Sequence, residues 1–194
     1  THSAPAAITL LGCGVPDKDY WRQVVEAAGS AAEQALANLQ PACLRIAETS
    51  LQGGNYNRRR VLENGRVVMS RHGKSKPVKV GPDYEKAVLA RFDNQRGEGI
   101  AGFIHWAAHP DTVCSHRISA DFPGELRRRL GAQQGLPFLF IQGACGNLNP
   151  PIRQMTRAEM LDNVDRLMPQ LARIDWQDAD CAPFFAKIDS VELP

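Results

Sequence analysis

The stretch IAGFIHWAAHPDT, residues 100–112, joins an apolar run of strand length to a polar end. A second stretch of the same kind, LPFLFIQGACGNLNPP, occupies residues 136–151. Continuous apolar runs of about four to eight residues between turn residues are typical of β-strands. In α/β proteins, ligands gather at the carboxyl ends of strands, so the two polar ends are predicted to share one site.

Helical and extended patterns alternate on either side of these two strands. Helices are predicted over 17–39 and 119–130, and from the capping box Thr156–Glu159 onward. Strands are predicted over 42–50, 88–92, 100–108, 136–141 and 183–193, with a hairpin around Asn64-Gly65 and an exposed loop over 71–83. The order predicts a single α/β domain over residues 1–194, a mixed sheet with helices packed on its faces.

Composition argues against several functional classes. The net charge is +2 over 194 residues, which argues against a nucleic-acid partner or a polybasic membrane anchor. No run approaches the ~20 apolar residues of a transmembrane segment. The triplet Arg127-Arg128-Arg129 is predicted to be a solvated helix face.

The ends and the cysteines of the chain add two expectations. The sequence opens on Thr1-His2-Ser3 without a methionine or a signal peptide, so we expect a fragment of a longer protein. The five cysteines are widely spaced and contain no C-x-x-C pair, which argues against a cysteine zinc site. They are predicted to be free and buried.

Two histidines, His105 and His109, lie four positions apart. In a strand, residues with this spacing lie about 13 Å apart, so the pair is predicted not to chelate one metal ion. His109, at the end of the predicted strand, is the candidate metal ligand. His105 is predicted to be a hydrogen-bonded histidine of the core.

Five short motifs are spread over nearly the whole chain. They are His2-Ser3-Ala4-Pro5, Asn57-Arg58, Ala108-His109-Pro110-Asp111-Thr112, Ser119-Ala120-Asp121-Phe122-Pro123-Gly124 and Gly146-Asn147-Leu148-Asn149-Pro150. Their residues, order and spacing resemble the N-terminal catalytic domain of the neutral/alkaline, non-lysosomal ceramidases. Each motif is short, and the shared order is what makes the resemblance specific.

This resemblance implies a ceramidase-like α/β fold and a zinc-dependent amide hydrolase. The implied substrate is an N-acyl compound, either a small molecule or a sphingolipid-like lipid. His109 falls on a zinc ligand of the family, and His2 falls on a second histidine of its active site. Arg58 falls on an arginine that contacts the scissile group, where a guanidinium stabilises a developing oxyanion.

Part of the implied site lies outside this sequence. Asn57, Gly146 and Asn147 fall within motifs that are implied to bind substrate. The other zinc ligands of the family, a histidine, a glutamate and a tyrosine, have no counterpart in the chain, so residues beyond it are expected to complete one zinc site. The resemblance also implies a C-terminal region that packs on this domain, in a family that is often secreted or periplasmic.

Asn149 departs from the family pattern, because the nucleophilic serine of the ceramidases belongs at this position. An amide side chain cannot become an alkoxide, so two interpretations stay open. In one, a zinc-activated water of pKa near ~7 attacks, and Asn149 orients that water or the substrate. In the other, the chain is a catalytically inactive binding domain on the same scaffold. Asn147 replaces an aspartate as well.

Four further residues have more than one interpretation. Cys145 faintly resembles a caspase cysteine motif, but a small buried residue in a tight turn is the prediction. Asp121 is predicted to cap a helix, and a role as hydrogen-bond partner of a ligand histidine is left open. Trp106 and Phe122 could contact lipid, but they are predicted to lie in the core.

Overall fold

The computed structural model describes residue 5 and residues 15–69, 79–113, 117–151 and 156–179. In this part of the chain the strands are β1 Ala42–Ser50, β2 Tyr56–Asn57, β3 Arg59–Val61, β4 Val67–Met69, β5 Lys79–Val80, β6 Lys86–Asn94, β7 Gly99–Trp106, β8 Phe138–Gln142, β9 Leu148–Asn149 and β10 Gln177–Asp178. The helices are α1 Lys18–Ala37, α2 Asp121–Gln134 and α3 Arg157–Leu167, and α3 continues into a 3₁₀ turn, Met168–Leu171.

The largest sheet has five strands in the order β10-β1-β6-β7-β8. Its first three pairings are antiparallel, whereas β7 and β8 run parallel, with Trp106 opposite Gln142. Helix α2 lies between these two strands in the sequence, as a parallel connection requires. The ends of β7 and β8 therefore meet at one edge of the sheet.

The core lies between one face of this sheet and the helices α2 and α3. Alternation along β7 turns Ile104 and Trp106 toward the helices, and neither side chain is exposed. Trp106 and Phe140 both meet Phe122 edge to face, at ring centroid separations of 5.7 Å. The predicted core positions of Trp106 and Phe122 are confirmed.

Local signals explain where the helices begin and end. The Asp17 carboxylate accepts hydrogen bonds from the amides of Asp19 and Tyr20 at the start of α1. At α3 the capping box between Thr156 and Glu159 is present in both directions. Gly135 ends α2 in the left-handed conformation, at φ 71°, where an L side chain is disfavoured.

The apolar stripe of α1 predicted its helical structure, but no described residue covers that stripe. No residue of α1 is buried within the described ranges. Val25 and Leu36 remain 66% and 67% exposed. Periodicity thus determined the helix, whereas burial depends on a packing partner. No described helix is long and apolar enough to cross a membrane.

The structure confirms most of the predicted elements and corrects others. Residues 79–80, predicted as loop, form β5 and pair with β3, and the short strand β10 was not predicted. His105 is half-buried on the sheet face away from α2, so its prediction as a core residue was wrong. Cys43 is exposed and Cys145 half-buried, so their predicted burial was also wrong, although both are free. The other cysteines and the predicted strand 183–193 lie outside the described residues.

An ion-pair network joins α2 to α3. Glu125 accepts from Arg128 at 2.7 Å and from Arg129 at 2.6 Å, and Arg129 also contacts Asp165 of α3. The hydrogen bond from Arg128, with that from Arg129, outweighs partial burial and lowers the pKa of Glu125 to about 2. Arg127 and Arg128 are exposed, which confirms the predicted solvated face at these two positions, whereas Arg129 is half-buried.

We expect Glu125→Gln to lower the free energy of unfolding by about 1–2 kcal/mol at pH 7, after allowance for solvent screening. Because folding depresses this pKa, the contribution is complete above the ordinary carboxyl pKa and is lost as the pH falls toward 2. Urea unfolding of both proteins between pH 7 and pH 3 measures the difference, which should shrink with acidity. Glu98→Gln, which removes an exposed ion pair, is the control, and it should change the free energy of unfolding little. A difference independent of pH would contradict the prediction.

Candidate active site

The loops that follow β7 and β8 are joined through their backbones. The Gly143 amide donates to the Trp106 carbonyl, and the His109 amide donates to the Leu148 carbonyl, both at 2.9 Å. These bonds continue the contact between the two parallel strands beyond the sheet. The predicted proximity of the two loops is thereby confirmed.

A second pairing brings Arg58 to the turn at 143–147. Strand β2 pairs with β9, with Asn57 opposite Leu148, and the Arg58 amide donates to the Asn147 carbonyl at 2.8 Å. The Arg58 guanidinium donates to the Gly146 carbonyl through Nη2 at 2.7 Å and Nε at 3.2 Å. Motifs from two distant parts of the sequence therefore form one rim.

His109 and Cys145 face each other across the two loops. The Cys145 sulfur lies 3.5 Å from Nδ1 of His109. Between the same two loops, the Asn149 amide donates to the Asp111 carboxylate at 3.4 Å, and Asn149 is only 1% exposed. The side chains of the two loops thus form contacts of their own, in addition to the backbone bonds.

A buried carboxylate holds the His109 loop against helix α2. Asp121 is 3% exposed and accepts hydrogen bonds from the amides of Thr112 at 2.8 Å and Val113 at 3.0 Å, and from the Thr112 hydroxyl. It also accepts from its neighbour Phe122 at 2.6 Å. Its φ of 55° is in the left-handed region. The helix N-cap is Ala120, so Asp121 mainly anchors the loop instead of capping the helix as predicted.

Two buried asparagines fix the chain beside the rim. Asn55 donates to the carbonyls of Tyr84 at 2.6 Å and Ala107 at 2.7 Å, just ahead of His109. Asn57 is 3% exposed, donates to the Pro82 carbonyl at 3.0 Å and accepts from the Arg59 amide at 3.0 Å. These contacts give Asn57 a structural part, and its substrate-binding role stays a prediction. Asn55 was missed by sequence reasoning, and only its place in an Asn-rich loop hinted at it.

Two of the described side chains have the chemistry of zinc ligands. No group of three His, Cys, Asp or Glu side chains within the described ranges is arranged to hold a metal ion. His109 and Cys145 nevertheless converge, and imidazole nitrogen with thiol sulfur is a donor pair that suits zinc. The donor chemistry therefore fits zinc as two ligands of a larger set.

The sequence-predicted site residues divide into three groups. His109, Arg58, Gly146 and Asn147 come together at the rim, whereas Asn57 and Asn149 are buried. His2 lies outside the described residues. Cys145 was not predicted to take part, because sequence spacing alone gave no reason to pair it with His109.

Comparisons with known proteins bear on the fold. No protein-family model and no curated protein matches the sequence. The neutral ceramidase from Pseudomonas aeruginosa is similar in structure, with a TM-score of 0.62 and 18% identity over 82% of this chain and 26% of the ceramidase. The fold is ceramidase-like. A ceramidase complexed with C2 gives a TM-score of 0.51 and 20% identity over 73% of this chain and 24% of its own. The chain thus spans about a quarter of these ceramidases, and the mixed α/β fold class predicted from the sequence is confirmed.

We expect Asp121→Asn to lower the free energy of unfolding by about 2–3 kcal/mol, because several donors lose a charged acceptor. Asn tolerates a left-handed backbone, so the substitution tests the carboxylate and not the conformation. Urea unfolding measures the loss, and faster hydrogen exchange at the Thr112 and Val113 amides locates it. Asp162→Asn on exposed α3 surface is the control, with an expected change below ~0.5 kcal/mol. Equal stabilities for both variants would refute the anchoring role.

Proposed function

We propose that this chain carries part of the active site of a zinc-dependent amide hydrolase, with His109 as a metal ligand. The supporting observation is the convergence of His109, Cys145 and Arg58 at one sheet edge of a ceramidase-like fold. The substrate is an N-acyl compound, a small molecule or a sphingolipid-like lipid. The activity belongs to the whole protein, since the matched ceramidases are about four times longer than the region they share with this chain.

Zinc, when bound, supplies a Lewis acid that activates water near neutral pH. His109 would hold it, and the hydrogen bond from the His109 amide to the Leu148 carbonyl keeps this residue beside the turn. The anchor from Asp121 to the following residues restricts the loop further. Such preorganisation maintains ligand geometry without a cost at each turnover.

Arg58 is suited to stabilise negative charge at the scissile carbonyl. Two of its guanidinium nitrogens are committed to the Gly146 carbonyl, which orients the side chain along the turn. The remaining nitrogen, Nη1, still carries N–H donors. Donors aimed at a developing oxyanion contribute to rate directly.

Asn149 takes the place of a serine nucleophile, and its burial changes the part that it plays. At 1% exposure, its amide donates to Asp111 and so links the turn to the His109 loop. We propose that it positions these loops around the attacking water and the substrate. Gly146 and Asn147 lie on the more open side of the turn and remain our candidates for substrate contact.

Residues outside the described ranges complete the site in this proposal. Ligands beyond the chain join His109 on one zinc ion, and His2 is a catalytic residue of the same site. A C-terminal region packs on the domain, and exposed apolar residues supply surfaces for it. These surfaces include Leu36 on α1 and Leu139 on β8, at 67% and 62% exposure.

We expect His109→Ala in the full-length protein to abolish stoichiometric zinc binding and hydrolysis of short N-acyl compounds. His105→Ala is the matched control, because it removes the same ring four residues earlier on the sheet. Metal analysis and an assay of released fatty acid measure the two properties. Activity that survives in His109→Ala after zinc is lost would refute the metal mechanism.

We expect Arg58→Lys to lower kcat by about 100-fold with a smaller effect on KM, because one ammonium cannot replace a planar fork. Arg59→Lys, at the exposed neighbouring position, should leave both constants unchanged. Steady-state kinetics on the same N-acyl substrate provide the comparison. A rise in KM alone would show that Arg58 binds substrate uniformly and does not act in the transition state.

A second candidate function is a catalytically inactive binding domain on the same scaffold. The observation that favours it is Asn149, a buried amide in place of the serine nucleophile. This hypothesis predicts zinc binding and N-acyl ligand binding without turnover. Calorimetric binding together with a prolonged assay at full zinc occupancy separates it from the hydrolase.

A further inference from the structure

We propose that Cys145 is a metal ligand beside His109, so that one thiolate belongs to the zinc site. The inference rests on the proposed function and concerns the same site. It adds a donor that neither the sequence pattern nor the fold comparison suggested. Three observations support it: the distance between Cys145 and His109, the backbone hydrogen bonds that hold both residues, and the different surroundings of Cys43.

The separation between the two side chains suits two ligands of one ion. The Cys145 sulfur lies 3.5 Å from Nδ1 of His109. Zinc bonds of ~2.3 Å to sulfur and ~2.05 Å to nitrogen at a tetrahedral angle place the two ligand atoms about 3.5 Å apart. An ion bound by both atoms therefore requires little movement of either side chain.

The backbone holds this separation from both sides. The Leu148 amide donates to the Cys145 carbonyl at 2.9 Å and closes the turn that carries the thiol. The Leu148 carbonyl accepts from the His109 amide, also at 2.9 Å. One residue thus bonds to both proposed ligands, and the two donors are set in position before a metal arrives.

The environment of Cys145 differs from that of a packing cysteine. It is half-buried in a polar turn and lies outside the buried hydrophobic cluster between the sheet and helices. Cys43, the other cysteine of the described part, is exposed on β1. Of these two thiols, it is Cys145 that lies beside the imidazole of His109.

Metal binding through Cys145 has a defined proton balance. The S–H bond breaks, the sulfur electron pair forms the bond to the metal, and the proton passes to solvent. No electron is transferred, and the metal keeps its oxidation state. A thiolate ligand also makes the site softer, which favours zinc over magnesium or calcium.

The test is cobalt substitution in the metal-free, full-length protein. Wild-type protein should bind one Co²⁺ and show visible d–d bands together with a near-ultraviolet thiolate-to-cobalt charge-transfer band. Cys145→Ser should lose the near-ultraviolet band and bind zinc at least ~100-fold more weakly. Loss of a residue that only hydrogen-bonds to a ligand typically weakens metal binding ~10–100-fold. Cys43→Ser is the matched control and should keep both.

Alkylation of the wild-type protein tests the same assignment without a variant that could misfold. Bound zinc should protect Cys145 from alkylation by iodoacetamide, as mass spectrometry of the peptides would show, while Cys43 reacts at an unchanged rate. Equal alkylation of Cys145 with and without zinc would overturn the assignment.

The possible outcomes separate this inference from the proposed function. Cobalt that binds through His109 without a charge-transfer band would overturn the Cys145 ligand and leave the metal hydrolase standing. Cobalt binding that is absent, or unaffected by His109→Ala, would overturn the metal site itself and both proposals with it. A band that persists in Cys145→Ser would assign the thiolate to another cysteine and also refute this inference.

Discussion

The parallel pairing of β7 with β8 is the constraint on which the candidate site depends. Antiparallel neighbours would place the ends of these strands at opposite edges, whereas parallel strands end together. The backbone bonds from Gly143 to Trp106 and from His109 to Leu148 extend this pairing past the sheet. As a result, the loops after β7 and β8, which are distant in sequence, are fixed relative to each other.

Burial of polar groups maintains that position. The Asp121 carboxylate and the Asn55 amide are each 3% exposed, and both hold backbone groups that flank His109. An unpaired buried polar group is costly, so these contacts favour one loop conformation over others. Buried hydrogen bonds therefore hold the loop of the candidate site, while Arg58 and Gly146 at its rim remain accessible.

Asn149 stands where the ceramidase resemblance implied a nucleophilic serine, so the proposed mechanism relies on the metal instead of a side-chain nucleophile. Because Asn149 is buried and bonded to Asp111, its contribution is to geometry. The group that faces His109 is Cys145, four residues before Asn149 in the same loop. In our proposal, the loop that carries Asn149 supplies a metal ligand through Cys145.

The sequence by itself determined the helices, the central strands and the motif order that resembles the ceramidases. Caps, periodicity and apolar runs are local, and they predicted α1, α3, β1, β7 and β8 to within a few residues. The short strands β5 and β10, the exposure of α1 and the anchoring role of Asp121 required the tertiary structure. The pairing of Cys145 with His109 did so as well, because 36 residues and a helix separate them in the chain. Contacts of this kind depend on sheet order and register, which no local pattern encodes.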